Sequence, residues 1–208
     1  MTYATLKSDI ASFLNRDDLT SIIPTFISNA ENSIYRQLNH RLLEKTTTFD
    51  RTSESPVTDT LALPSDYRET ILLTSDGTPL ERVSLDHLKN RTAYSAAPEE
   101  FARDGTNFQL WPFPDVGRTY KLTYYYKPTS LTAGADSGTN DLLTAEPALY
   151  LYASLLEAEP YLRTDQMPMM QIWATRYVEI MTALDTESAQ ENYSGSTVEV
   201  KSTFSGRL

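Results

Sequence analysis

The period of the apolar residues changes twice along this chain, and those two changes limit its possible folds more than any single motif does. In the opening stretch TYATLKSDIASFLNR, Leu6, Ile10, Phe13 and Leu14 recur at i, i+4, i+7 and i+8. That spacing is the stripe of an amphipathic helix, and Thr2 is placed to cap it. A second stripe follows in Ile23, Phe26, Ile27, Ala30, Ile34 and Leu38. Thr20 or Ser21 can cap this one, and Pro24 lies in its first turn, where a missing N–H costs nothing. The short acidic turn between the two stripes predicts an antiparallel helical pair.

From residue 44 the helical spacing is lost. EKTTTFDRT is β-branched and polar, and the next thirty or so residues carry short apolar runs broken by Pro and Asp-Gly. The pattern predicts strands near 44–50, 59–63, 68–74 and 79–83, with Asp76-Gly77 as a hairpin turn. SLDHLKNRTAYS reads as a short helix or loop. PEEFARDGTNFQLWPFPDVGRTYKLTYYYKP supplies three more strands, turned at Asp104-Gly105 and at PFPDVG. Helical spacing then returns. Thr144 and Pro147 mark the start of a stripe through Ala148, Leu151, Tyr152, Leu155 and Leu156, which Pro160 ends or kinks. Thr164 or Asp165 opens the last stripe, through Met170, Trp173, Tyr177, Ile180, Met181 and Leu184. The fold these patterns predict is α+β. It is an antiparallel four-helix bundle with an inserted small antiparallel β domain and an extended C-terminal arm. Residues 1–43 and 141–188 would be the two halves of the bundle, 44–140 the insertion and 189–208 the tail.

Composition removes several classes of function. There is no cysteine, hence no disulfide, Cys-ligated zinc or thiol chemistry. No apolar run approaches the roughly 20 residues that span a bilayer. The polar start MTYATLKSDI lacks the basic and apolar regions of a signal peptide, so synthesis and use in a cytoplasm, or in something assembled there, are expected. A net charge of −10 argues against a general nucleic-acid binder. It does not exclude a protein that must let DNA pass without holding it, since a negative wall repels phosphates.

The search for chemistry returns little. His40 and His87 read as surface histidines, with no HExxH pattern, GxGxxG or P-loop nearby. Glu99-Glu100 reads as a solvated pair. Trp111, in FQLWPFPD, can stack on a sugar or a base, and the commoner role in such a setting is to close a hairpin core. Met167, Met169 and Met170 can form an adaptable surface; the preferred reading puts Met170 in the core and the other two outside. No catalytic residue, metal or cofactor is expected.

Two segments point instead to surfaces. In LTYYYKP, read as a strand, Leu122, Tyr124 and Tyr126 share one face, and Lys121, Thr123, Tyr125 and Lys127 share the other. The first face suits a core. The second sets an aromatic ring between two basic stems, which suits a surface that becomes partly covered. In the tail, STVEVKSTF alternates, with Val198 and Val200 on one side and Thr197, Glu199 and Lys201 on the other, followed by Phe204. Two readings stand: a disordered terminus, or an arm that joins another chain's sheet or groove.

Five stretches in order, IIPTFISNAENSIYRQL, LPSDYRETILL, FQLWPFPD, YKLTYYYKPTSL and NDLLTAEPALYLYASLLEAEPYL, resemble the head-to-tail adaptors of short-tailed bacteriophages, also called connector, gatekeeper or tail tubular protein A-like proteins. The resemblance covers about residues 3 to 185. It implies a structural virion protein at the head–tail junction. It also implies a twelve-subunit ring beneath the portal, joined to the tail nozzle, with viral DNA passing through without sequence-specific binding. A portal-binding arm would then fall on Val198, Val200, Lys201 and Phe204. Lys121, Tyr125 and Lys127 would meet a neighbouring subunit. Twelve copies would carry about −120, so an acidic or neutral bore is expected. Other readings are a different tail ring or baseplate component, a tail-associated cell-wall hydrolase, and a binding module that forms no ring.

Overall fold

The computed structural model describes residues 1–162 and 167–193. The chain divides into two compact units, one of Met1–Thr5 with Arg41–Ala145, the other of Leu6–His40 with Glu146 onward.

The first unit holds ten strands in three sheets. β1 (Glu44–Asp50), β10 (Thr119–Tyr126), β3 (Tyr67–Ser75) and β4 (Thr78–Pro79) form one sheet in that order, antiparallel throughout. β2 (Thr60–Ala62), β8 (Asn107–Trp111), β7 (Glu100–Asp104) and β5 (Glu81–Arg82) form the second, in which β5 runs parallel to β7. β6 (Ser95–Ala96) and β9 (Phe113–Pro114) make a short parallel pair. Two short helices, α3 (Leu85–Lys89) and α4 (Asp141–Ala145), belong to the same unit. Asp76 and Gly77 both adopt positive φ, 47° and 86°, and so turn β3 into β4. A two-residue turn of this hand follows the natural twist of the strands it joins. Gly105, at φ 61°, serves the β7–β8 hairpin.

Strand alternation builds the core. Tyr120, Leu122 and Tyr124 of β10 point inward with Leu73 of β3 and meet Leu61, Phe101, Phe108 and Leu110 from the second sheet. Phe101 and Phe108 touch edge to face, their centroids 4.9 Å apart, and Tyr67 meets Phe108 the same way at 5.8 Å. Gly117, in the PFPDVG turn, is required by a close approach: a Cβ there would overlap the carbonyl oxygens of Arg51 and Thr52. Gly117→Ala is therefore expected to cost about 1–3 kcal/mol through forced backbone movement. Urea denaturation checks this, and an unchanged midpoint would show that the turn yields freely.

In the second unit the helices are α1 (Tyr3–Leu14, whose first residues lie in the other unit), α2 (Ile23–Gln37), α5 (Pro147–Glu157) and α6 (Met167–Tyr193). Thr2 caps α1: its Oγ1 accepts from the Thr5 N–H at 3.3 Å, and Thr5 Oγ1 accepts from the Thr2 N–H at 2.9 Å. This reciprocal pair is a capping box with threonine in the usual glutamate position. Pro24 and Pro147 lie in first turns, as their sequence positions predict. The caps of these helices differ from expectation: Ile22 precedes α2 and Glu146 precedes α5, neither with a side-chain cap bond. Thr164 and Asp165 lie outside the described residues. α5 is the central helix, packed against α2 on one side and α6 on the other. The Tyr35 and Tyr150 hydroxyls meet at 2.8 Å in its buried interior.

The architecture corrects the expected four-helix bundle with a small antiparallel insertion. The described residues form six helices, from 5 to 27 residues long, beside ten strands in three sheets, two of which contain parallel pairs. Four similar apolar stripes do not specify four equal partners. α5 buries Leu149, Tyr150, Ala153, Ser154 and Leu155 around its circumference, so it takes the centre, with neighbours on two sides. α6 also runs on to Tyr193, into the stretch read from the sequence as tail.

Candidate interaction surfaces

β10 lies second in its sheet, between β1 and β3, so both of its hydrogen-bonding edges are paired. On the outward face Lys121 stands opposite Thr48 and Thr74, Thr123 opposite Thr46 and Leu72, and Tyr125 opposite Glu44 and Glu69. Thr46 Oγ1 and Thr123 Oγ1 share a hydrogen bond of 3.1 Å. The β10–β3 register shifts between Thr123 and Tyr124 and again between Tyr125 and Tyr126. At the first shift β3 leaves Ile71 and Leu72 more than 40% exposed. The sequence hides this, because the run Ile71-Leu72-Leu73 has no alternation to show which residue faces out.

Of the residues expected to meet a neighbour, Lys121 and Tyr125 share this outward face. Lys121 is exposed, and Tyr125 is half-buried beneath the Arg68 guanidinium, 5.6 Å from its ring centroid. Burial raises the Tyr125 hydroxyl pKa above the ordinary tyrosine value, and the negative charges of Glu44 and Glu69 add to the effect. Tyr125 is thus a neutral donor at physiological pH. Lys127 lies past the strand end, exposed, with its backbone N–H donating to the Asp66 carbonyl at 2.8 Å. Val198, Val200, Lys201 and Phe204 lie outside the described residues.

The inward edge of the same strand is polar and closed. The Tyr124 hydroxyl donates to Asp66 Oδ1 at 2.8 Å, and Lys45 Nζ donates to Asp66 Oδ2 at 2.6 Å while lying 5.6 Å from the Tyr126 centroid. Burial pushes the Asp66 pKa up, but the hydrogen bonds from Lys45 and Tyr124 together outweigh it and hold the carboxyl below its usual range. A depressed folded pKa gives stability that is complete above the unfolded value of about 4 and is lost as pH falls through the lower, folded value. Asp66→Asn is expected to flatten the acid side of the stability curve below about pH 4. Thermal melts between neutral and acid pH check this, and an unchanged acid limb would show that other carboxylates carry it.

The remaining sequence candidates take structural positions. Trp111 is half-buried, with the Arg91 guanidinium 4.3 Å from its ring centroid and Tyr94 edge-on at 5.0 Å. One ring face is thus already occupied. Beside it is a cleft of about 300 Å³ lined by Leu88, Arg91, Gln109, Trp111 and Phe113 among others. His87 is exposed and 2.6 Å from the Arg91 guanidinium. His40 is not on the surface as expected but only 1% exposed. It follows α2, where Ser188 of α6 donates to the Asn39 carbonyl at 3.1 Å and Glu187 approaches the His40 ring to 3.8 Å. Met169 is exposed and Met170 half-buried. Among the described residues no cluster of three or more His, Cys, Asp or Glu is placed to hold a metal, and no helix is long and apolar enough to cross a membrane.

What this geometry offers is surface: a broad, lightly charged sheet face on one unit and a long helix on the other. A search of curated proteins found no match. A family profile described as SU10 adaptor protein matches residues 1–200. The match spans both units, including the strand with the tyrosine run and the long helix, and so this chain belongs to the SU10 adaptor protein family, a family of phage head–tail adaptors.

Proposed function

We propose that this phage adaptor forms a closed ring between the portal and the tail nozzle, with DNA passing through the centre. Family membership carries the coarser part: a structural virion protein that associates with other virion proteins. The ring, the portal contact and the channel go further. A ring subunit needs two different lateral surfaces that fit head to tail. The outward face of β10, with Lys121 and half-buried Tyr125, suits one of them, and Lys127 lies at its end. Tyrosine offers a large contact area with a polar tip, a combination favoured at interfaces. The net charge of −10 per subunit suits a bore that repels phosphate, so DNA is guided without being held. In this reading the residues after the long helix, including Val198, Val200, Lys201 and Phe204, reach the portal.

Electron microscopy of the protein mixed with its portal tests the whole reading. Expected is a ring of about twelve copies, as in the adaptors the chain resembles, seated beneath the portal on the central axis. A protein that assembles only away from the portal would instead be another tail ring or baseplate component. Tyr125→Asp tests the lateral contact. An aspartate between Glu44 and Glu69 would place three negative charges side by side at the interface, and ring assembly on the portal should be lost. Normal assembly of this variant, checked by sedimentation, would remove Tyr125 from the interface.

A further inference from the structure

We infer that the outward face of α6 is the surface on which the β10 face of a second copy sits. The inference rests on the ring reading above and names both halves of one lateral contact. α6 buries Trp173, Met181, Leu184 and Ser188 on one side. On the opposite side Thr175, Glu179, Thr182 and Thr186 form a ridge, with Ala174, Val178 and Ala183 beside it and Glu187 and Gln190 at its end. Threonine is polar by residue type, but here each hydroxyl donates to the carbonyl four residues earlier, Thr175 to Gln171 at 2.8 Å, Thr182 to Val178 at 2.8 Å and Thr186 to Thr182 at 2.7 Å. With the hydroxyls committed to the backbone, the ridge presents methyl groups, and Val178 is 59% exposed beside it. A helix with apolar surface on both sides has a second element to bury against.

The β10 face has the same chemistry. Thr46 and Thr123 satisfy each other's hydroxyls, and Ile71 and Leu72 stand exposed in the same sheet. The dimensions agree. Three long strands span about 10 Å, the width of one helix, and β10 runs about 24 Å, enough to cover the roughly 17 Å between Thr175 and Thr186. One charge pair fits as well, between faces that both carry glutamates, Glu44 and Glu69 beside Tyr125 and Glu179 and Glu187 on α6. Lys121 makes no ion pair among the described residues, in a row of threonines and leucine. Asp185, exposed and three residues beyond Thr182, likewise makes none, whereas Arg176 and Glu179 already pair at 2.9 Å. Two sheet faces would set Lys121 against Lys121, and two α6 faces would set Asp185 against Asp185. Sheet against helix is the arrangement that pairs the unpaired lysine with the unpaired aspartate. It is also head-to-tail, the type of contact that closes a ring.

The absence of cysteine gives a direct test. Thr48→Cys marks the sheet face and Thr182→Cys the helix, both at exposed positions. The two variants are mixed on portal and oxidised. A disulfide-linked dimer in the mixture, absent from either variant alone, is the expected result. A dimer from Thr48→Cys alone would mean that the sheet face meets its own image and would overturn the pairing. Rings on portal without any cross-link would overturn the pairing and leave the ring reading standing. No assembly by the unmutated chain would sink both. In a parallel measurement, Lys121→Asp and Asp185→Lys should each weaken assembly about tenfold, and the double variant should recover it. A double variant weaker than either single one would refute the Lys121–Asp185 contact.

Discussion

Tyr124→Ala is expected to unfold the β-rich unit under mild conditions, at a cost of about 3–5 kcal/mol. Three roles meet in this one side chain. It is fully buried in the core between the sheets, where its ring lies 5.8 Å from that of Tyr67. Its hydroxyl donates to Asp66, and Asp66 in turn binds Lys45 of β1. Alanine leaves a cavity bounded by β10 neighbours that are themselves tied into two strand ladders, so little collapse can relieve it. A loss of this size takes a large share of the 5–15 kcal/mol typical of a domain. Tyr124→Phe separates the contributions. It keeps the ring and removes one charge-assisted hydrogen bond, at an expected cost of about 1–3 kcal/mol, and it should raise the Asp66 pKa. With Trp173 replaced by Phe, Trp111 on β8 is the single tryptophan and serves as the fluorescent reporter in the same unit. A Tyr124→Ala chain whose Trp111 emission unfolds at the wild-type urea concentration would show that the two sheets hold without it.

The tyrosine run also shows how far the sequence could be read. Strand alternation put Leu122 and Tyr124 inside and Lys121 and Tyr125 outside, and both placements hold because period two is a strict geometric consequence of the pleat. Asp76-Gly77 was legible for a similar reason: few dipeptides accept two positive φ values in succession. Pairing was not legible. Nothing in β5 or β6, two residues each, announces a parallel partner, and the helical stripes did not reveal that α5 would be the shared neighbour of α2 and α6. His40 was misread because residues distant in the chain, Glu187 and Ser188 of α6, lie beside it and its neighbour Asn39. The candidate surfaces divide in the same way. The β10 face followed from local period. The exposure of Ile71 and Leu72 depends on a register shift between strands, and the apolar character of the α6 ridge depends on where threonine hydroxyls point. Neither is a property of residue type.

Trp173→Ala is expected to loosen the long helix and destabilise the helical unit by about 3–5 kcal/mol. α6 has 27 residues, yet Trp173, Met181 and Leu184 are the large apolar side chains it buries among the described residues. Trp173, 3% exposed, is the largest of them and the nearest to the start of the helix. Without it the described side chains of the first three turns are all half-buried or exposed, Met169 and Ile172 facing solvent. Helices in proteins owe most of their stability to the packing of one face rather than to propensity, so the order of α6 depends on the packed stripe. The amides of the first half of α6 should therefore exchange with deuterium far faster than in the wild-type chain, while those near Leu184 and Ser188 change less. Trp173→Phe should recover most of the protection, because it restores an aromatic side chain of smaller volume. The substitution also leaves Trp111 as the chain's single tryptophan, so fluorescence then reports the β-rich unit and helical circular dichroism the other. Protection in the first half of α6 that survives Trp173→Ala would show that this side chain does not hold the start of the helix.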